Sequence, residues 1–481
     1  MRQALKTLTL TALPLTLGTA ANAVNHMIDC AFLGRFSETA LAASLPGNML
    51  GMFFTGFLIC TIGYTSTLVA QSHGAKRHDL AWAAFVQGLY LTLYAAPLFL
   101  LVIPAGNLIV SLAGHSSALA AQELIAFRYA VAAGFATVVT TVLSCYFTGR
   151  GKTRIVGFAI TGGCLLNIAL DPLFIFKLNM GISGAGLASL LSSSAVGLVI
   201  ALALLRDPDV RLHLRKGTLD FNSRLAARIV RFGSPFGFSA IVGSGAFVIF
   251  VMALGHLSSS ALAVGNACFA INNIFYAILC TIESAVSILV GQAFGKGDIP
   301  ALRRIVIAGH LLALLLLLAF YTPILFAPSF AFSLFSGHNA SIDTTFRSYQ
   351  TGFLTILLAR EIFEALQHVV TGALHGIGET RTIFKLHLIA SLLVQLPLVA
   401  LVIFLVPEPL VLWATMPLAF AIHAFLLLRN WKVINLQPRN TTRLYPSSHP
   451  EAATYSSMSA TSVMAEARLS RVRQQSKWYL S

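Results

Sequence analysis

The stretch Gly149-Arg150-Gly151-Lys152-Thr153-Arg154 returns 227 residues later as Gly376-Ile377-Gly378-Glu379-Thr380-Arg381, identical at four of six positions. Working outward, Gly34-Arg35-Phe36-Ser37-Glu38-Thr39-Ala40-Leu41-Ala42 returns as Gly255-His256-Leu257-Ser258-Ser259-Ser260-Ala261-Leu262-Ala263 at an offset of 221. Gln71 and Gly74 fall on Gln292 and Gly295 at that same offset of 221. The chain is therefore read as two copies of one unit, placed head to tail.

What the unit is follows from composition. The 481 residues are 57% hydrophobic and only 10% charged, with a mean hydropathy of +0.80; soluble domains carry roughly 25% charged residues. Apolar spans read near residues 8–33, 45–69, 80–103, 124–147, 155–176 and 184–205, then 233–254, 261–290, 302–327, 347–373, 382–405 and 409–428. Each has the ~20 residues a membrane helix needs, and a lipid-exposed backbone must satisfy its hydrogen bonds within the segment. The expected fold is all-α and polytopic: 12 transmembrane helices in two six-helix lobes. Six crossings separate equivalent spans, so the lobes are parallel repeats related by a pseudo-two-fold axis along the membrane normal. The expected domains are an N-lobe (1–205), a cytoplasmic linker (206–232), a C-lobe (233–428) and a basic tail (429–481). The six cysteines all fall in apolar stretches, so they read as packing residues and not as a disulfide framework.

A net charge of +15 first suggests nucleic acid, but placing the basic residues on this topology changes its meaning. Arg2, Lys6, Lys76, Arg77, Arg150, Lys152, Arg154, the linker cluster from Arg206 to Arg231, Lys296, Arg303, Arg304, Arg381, Lys385 and the tail all fall on one side. Only Arg35, Arg128, Lys177 and Arg347 flank the other. By the positive-inside rule both termini are cytoplasmic. A cleavable signal peptide ending near Ala20-Ala21-Asn22-Ala23 is the competing reading of the N-terminus; cleavage would leave eleven spans and conflict with the loop charges. Beyond Asn430, Ser, Thr and Arg accumulate without apolar periodicity, the composition of a disordered tail. A dispensable solvated tail is the favoured reading, with contact of its positive charge to anionic lipid headgroups the alternative.

Acids inside spans mark function by default, since a charge at mid-bilayer costs at least ~2.5 kcal/mol. There are five: Asp29, Asp171, Glu283, Glu361 and Glu364. Asp29 and Asp171 sit at similar depth, and Asn167 is one helical turn before Asp171 on the same face. Two acids sharing a low-dielectric pocket cannot both ionise cheaply, which makes a proton-exchange site; a plain interhelical hydrogen-bond cluster is the alternative. In the other half Arg360, Glu364 and His368 recur every four residues along one face, so an Arg360–Glu364 ion pair is expected either to neutralise the acid or to hold helices together. Glu361 is rotated about 100° from Arg360 and has no assigned role. Glu283 reads as a coupling acid or as helix glue. Pro14 removes a backbone hydrogen bond within span 1 and predicts a kink, a hinge below Asp29. Asn22, Asn25 and Asn48 are cavity candidates that read equally as packing hydrogen bonds.

In order, the motifs resemble the multidrug and toxic compound extrusion (MATE) transporters over about residues 8–428. The carriers are Asp29-Cys30-Ala31-Phe32-Leu33-Gly34, Gln71-Ser72-His73-Gly74-Ala75, Gly149 to Thr153, Asn167-Ile168-Ala169-Leu170-Asp171-Pro172, Gly181 to Ala185, Val290 to Gly295 and Gly372 to Gly376. The resemblance implies a V-shaped bundle that exports amphiphilic, often cationic compounds in exchange for H⁺ or Na⁺, with no cofactor and no bound metal of its own. It implies that Asp29 is the span 1 coupling acid and Pro14 the proline of a bending first helix. Asn167, Asp171 and Ser189 match the N-lobe polar network of the DinF-like branch. Glu364 takes the place of the NorM-like span 10 acid, while Gly243 stands where that branch has a glutamate. That departure tilts the expectation toward a DinF-like, proton-coupled member.

The expected partners are small amphiphilic drug-like substrates and membrane lipids, with no nucleic acid and a monomeric state. A lipid-linked precursor flippase of the same superfamily would show a strongly basic central cavity, but Arg360 is the sole clearly intramembrane base. A membrane enzyme such as a prenyltransferase would need clustered aspartates for Mg²⁺ and diphosphate, and the sequence has no Asp-rich run. The chain is thus not expected to be an enzyme.

Overall fold

The computed structural model describes residues 1–112, 117–327 and 344–433. Among the described residues the chain forms helices throughout. The N-terminal half consists of α1 (Arg2–Phe36), α2 (Glu38–Gly63) continued by α3 (Thr65–Gly74), α4 (His78–Leu112), α5 (Ser117–Gly149), α6 (Thr153–Pro172) and α7 (Ile182–Arg206). After the short α8 (Pro208–Arg215) come α9 (Ser223–Leu257), α10 (Ser259–Lys296), α11 (Ile299–Phe326), α12 (Thr344–Ile377), α13 (Thr380–Leu388) with α14 (Leu396–Leu405), and α15 (Pro409–Val433). Counting α2 with α3 and α13 with α14 as single crossings gives twelve in two lobes of six. Ten crossings among the described residues are apolar and long enough to span on composition alone. The remaining two, α1 and α12, are the polar helices that carry Asp29 and the Arg360 cluster.

The repeated residues have matching local jobs. The side chain of Ser37 caps α2 by accepting from the Ala40 N–H at 3.4 Å, and its repeat mate Ser258 caps α10 by accepting from the Ala261 N–H at 3.2 Å. Gly151 and Gly378 both turn the chain with positive φ, 78° and 89°, where a Cβ is strained. Thr153 and Thr380, which open the following helices, are fully buried. A Cβ on Gly149 would lie 2.7 Å from the Ser66 carbonyl oxygen, and one on Gly376 would lie 2.5 Å from that of Ser287. Each half also breaks its fifth crossing with a π-helical segment, Leu173–Lys177 and Ile389–Gln395, each beside a proline that lacks an N–H donor.

The two non-identical positions of the opening motif serve the linker. Arg150 and Lys152 bind the Asp207 carboxylate at 3.1 and 2.7 Å, and Arg150 also binds Asp209. Asp207 in turn caps α8 through the Asp209 N–H. Trp82 Nε1 donates to the Thr218 carbonyl and Gln87 Nε2 to that of Asp220. Burial pushes Asp207 toward its neutral form, but Lys152 and Arg150 outweigh this and hold its pKa below the usual carboxylate range. Within the stretch 206–232 the chain forms α8, and α9 opens at Ser223. At the other end α15 carries the helix to Val433, past the expected tail boundary; residues 434–481 lie outside the described residues.

Aromatic packing fills both halves. Phe99, Phe127, Val131 and Val142 knit α4 and α5 onto α2. In the second half Trp413 stacks on Phe353 at 4.2 Å and donates its Nε1 to the Phe353 carbonyl at 3.0 Å.

Candidate functional site

Helices α1 and α6 run side by side in a constant register. The Pro14 carbonyl oxygen sits where a Cβ on Gly157 would be 2.1 Å away, and Gly18 faces Ile160. Farther along, Cys164 Sγ donates to Asn22 Oδ1 at 3.6 Å. With its amide oriented to satisfy its neighbours, Asn167 donates to Asn25 Oδ1 at 2.7 Å and Asp29 Oδ1 at 3.2 Å, and accepts from the Ser189 backbone N–H at 3.0 Å. At the far end the Asp29 and Asp171 carboxyls come within hydrogen-bonding range of each other. A helix repeats its face every three or four residues, so the series 14, 18, 22, 25, 29 on α1 meets 157, 160, 164, 167, 171 on α6.

Asp171 is fully buried, and neither of its oxygens has a conventional donor. What faces it is Asp29, which is only half-buried. Carboxylates offer acceptors alone, so a bond between these two needs one proton. Among the described residues neither acid enters an ion pair. Ser189 takes part through its backbone rather than its hydroxyl. Asn48 lies exposed on α2, outside this cluster. Helix α1 runs unbroken through Pro14, whose carbonyl is pressed on Gly157.

The three intramembrane acids of the second half, Glu283, Glu361 and Glu364, are each paired with a base. Arg360 binds Glu361 Oε1 and the Glu364 carboxylate, each at 2.8 Å, and its guanidinium lies over the Phe420 ring at 4.5 Å. Glu361, turned about 100° from Arg360 along the helix, shares the same guanidinium because the long arginine fork spans two adjacent helix positions. Asn272 of α10 joins them, donating to Glu361 and accepting from Arg360 Nη1 at 3.1 Å, and Tyr321 of α11 lies 2.7 Å from that amide. Neither Asn272 nor Tyr321 was singled out in the sequence; the available signal was a polar residue in each of two apolar spans. Glu283 meets His368 Nδ1 at 2.5 Å. In the crossing of α9 and α13 that corresponds to α1 and α6, Gly243 faces His387: a Cβ there would lie 2.7 Å from Nε2. A glutamate at 243 has no room unless that ring moves.

The lobes are joined by hydrogen bonds from mid-bundle toward the end that carries the basic loops. Thr16 and Thr281 hydroxyls lie 2.8 Å apart. Gln71 Nε2 donates to the Gly376 carbonyl at 2.8 Å and Gln292 Nε2 to that of Gly149 at 2.9 Å.

A model of the MatE family matches residues 14–173 and 235–401, one block in each lobe. The chain belongs to the MATE family. Among MATE relatives, a probable multidrug resistance protein NorM of Pseudomonas aeruginosa is 26% identical over 386 residues, covering 78% of each chain. The multidrug resistance protein MdtK of Pectobacterium atrosepticum is 23% identical over 89% of this chain and 95% of its own. A crystal structure of MATE in the straight conformation superposes with a TM-score of 0.82 at 20% identity, over 90% of this chain and 97% of that one. This likeness carries the twelve-helix, two-lobe fold.

Proposed function

We propose that the protein is a proton-coupled multidrug antiporter of the inner membrane, with both termini cytoplasmic, in the DinF-like branch of the MATE family. It exports amphiphilic, often cationic compounds by alternating access, and the exchanged proton rides on Asp29 and Asp171. The observation that carries this reading is the pair of facing carboxyls, in no ion pair with a base among the described residues, with one buried and the other half-open. The names of the NorM and MdtK relatives support the substrate class. The bulk of positive charge at the joined end of the lobes supports an outward-facing arrangement.

In this mechanism Asn167, Asn25 and the Ser189 N–H fix the Asp29 carboxyl against α6. When the proton leaves toward the cytoplasm, two facing carboxylates repel and Asp29 is freed to attract a cationic substrate. A proton arriving from outside restores the bond, draws α1 onto α6 with Pro14 as the hinge, and expels the substrate. One net charge crossing ~150 mV supplies about 3.5 kcal/mol, enough for roughly two to three decades of accumulation of a neutral compound; one-for-one exchange with a monovalent cation is electroneutral, and the pH gradient alone drives it. Glu283, Glu361 and Glu364 hold helices through their paired bases. The test is ethidium efflux from proteoliposomes: an imposed pH gradient drives it and a Na⁺ gradient alone does not. Efflux driven by Na⁺ alone overturns the assignment.

A further inference from the structure

The surroundings of Arg360 resemble a cage for a small hard cation. Carboxylates of Glu361 and Glu364 and the side-chain oxygen of Asn272 all point at the guanidinium, at 2.8, 2.8 and 3.1 Å. The Phe420 ring covers its face, and Tyr321 closes the far side through Asn272. Four helices, α10, α11, α12 and α15, thus converge on one charge. Arg360 is 7% exposed, Glu364 4% and Glu361 0%. Such a set of oxygens is what hard metal cations bind, while an arginine fork satisfies the same acceptors by hydrogen bonds.

We infer that Arg360 is a tethered cation filling an oxygen cage that would otherwise take Na⁺, and that it thereby sets the ion selectivity of the transporter. This deepens the proton-coupled reading and rests on it only for the consequence in transport; the binding claim stands apart. Two carboxylates share one guanidinium, so removing Arg360 leaves a buried acid pair without a counter-ion, which is strongly destabilising. A free cation entering the cage restores the balance and stabilises the fold by mass action. Helix glue alone makes no such ion-specific prediction. The neighbouring titratable pair, His368 with Glu283, satisfies itself and is left intact.

The experiment compares melting temperatures of purified wild type, Arg360→Met, Arg360→Met/Glu361→Gln and Arg360→Met/Glu361→Gln/Glu364→Gln. Each is measured in NaCl and in choline chloride at equal concentration. The expected result is no Na⁺-specific shift for wild type, a clear upward shift in Na⁺ for Arg360→Met, a reduced shift for the double variant and none for the triple. Equal melting of Arg360→Met in both salts overturns the inference, as does a Na⁺-specific upward shift of wild type. So does failure of Arg360→Met to fold in either salt while the neutral triple variant folds. Efflux by wild type on a Na⁺ gradient, alongside the expected melting pattern, would instead overturn the proton-coupled reading and leave the cage standing.

Discussion

Gln71 Nε2 donates to the carbonyl oxygen of Gly376 across the lobe boundary at 2.8 Å, and the repeat mates reverse the roles, Gln292 donating to Gly149 at 2.9 Å. The backbones are close enough to permit this because positions 74 and 295 are glycine. A Cβ on Gly74 would lie 2.1 Å from the Gln292 carbonyl oxygen, and one on Gly295 would lie 2.0 Å from that of Gln71. The duplication therefore builds a two-fold clasp at the end of the bundle that bears the basic loops.

Each of these bonds contributes about 0.5–1.5 kcal/mol, so Gln71→Ala/Gln292→Ala should shift the balance between joined and parted lobes by roughly tenfold to a hundredfold. Gly74→Ala should act in the same direction through the clash. Spin-label distances between α3 and α10 read the outcome: a new, longer population is expected, and an unchanged distribution in both variants contradicts the clasp.

Gly157→Ala should hurt the coupling site at a distance. Its methyl group would meet the Pro14 carbonyl oxygen at 2.1 Å, a contact that backbone can relieve only by separating α1 from α6. Overpacking of this kind costs about 1–3 kcal/mol, and the separation draws Asp29 away from Asn167. A lower melting temperature together with weaker proton-linked efflux is expected; Gly162→Ala, on the same helix with nothing within 4 Å, serves as the control.

The linker should loosen in acid. Because Asp207 is held below the usual carboxylate range in the folded state, its contribution is complete above the unfolded carboxylate value of about 3.9. It is lost as pH falls through the lower folded value. Hydrogen exchange over 207–220 should therefore accelerate in this acidic window and not near neutrality, whereas Asp207→Asn should exchange fast at neutral pH. Equal protection in the variant contradicts the role given to Arg150 and Lys152.

Asn167→Leu should leave the acid pair without its positioning amide. Buried hydrogen bonds to charged groups are worth about 1.5–3 kcal/mol, so proton-linked efflux should fall roughly tenfold or more and its pH profile should move. A changed maximal rate with an unmoved profile would point to packing alone.

The repeat was legible because identical residues at fixed offsets do identical work: Ser37 and Ser258 cap, Gly151 and Gly378 turn, and Gln71 and Gln292 clasp. The meeting of Asp29 with Asp171 was legible because depth and helix face are both counts along the chain. What depends on side-chain reach across helices was not. A helical wheel turns Glu361 about 100° from Arg360, yet the arginine spans the gap, and Asn272 and Tyr321 arrive from two other helices. Helix α8 is not legible as a span because its eight residues are too few, and its order comes from the Asp207 cap and the Arg150 clasp.

The central claim is that the proton exchanged for substrate sits on the Asp29–Asp171 pair. The most direct measurement is proton release when a cationic substrate such as ethidium is added to the purified protein in weakly buffered solution near neutral pH. Wild type should release protons, whereas Asp29→Asn and Asp171→Asn, folded and still able to bind ethidium, should release none. Undiminished release from both folded variants would contradict the account.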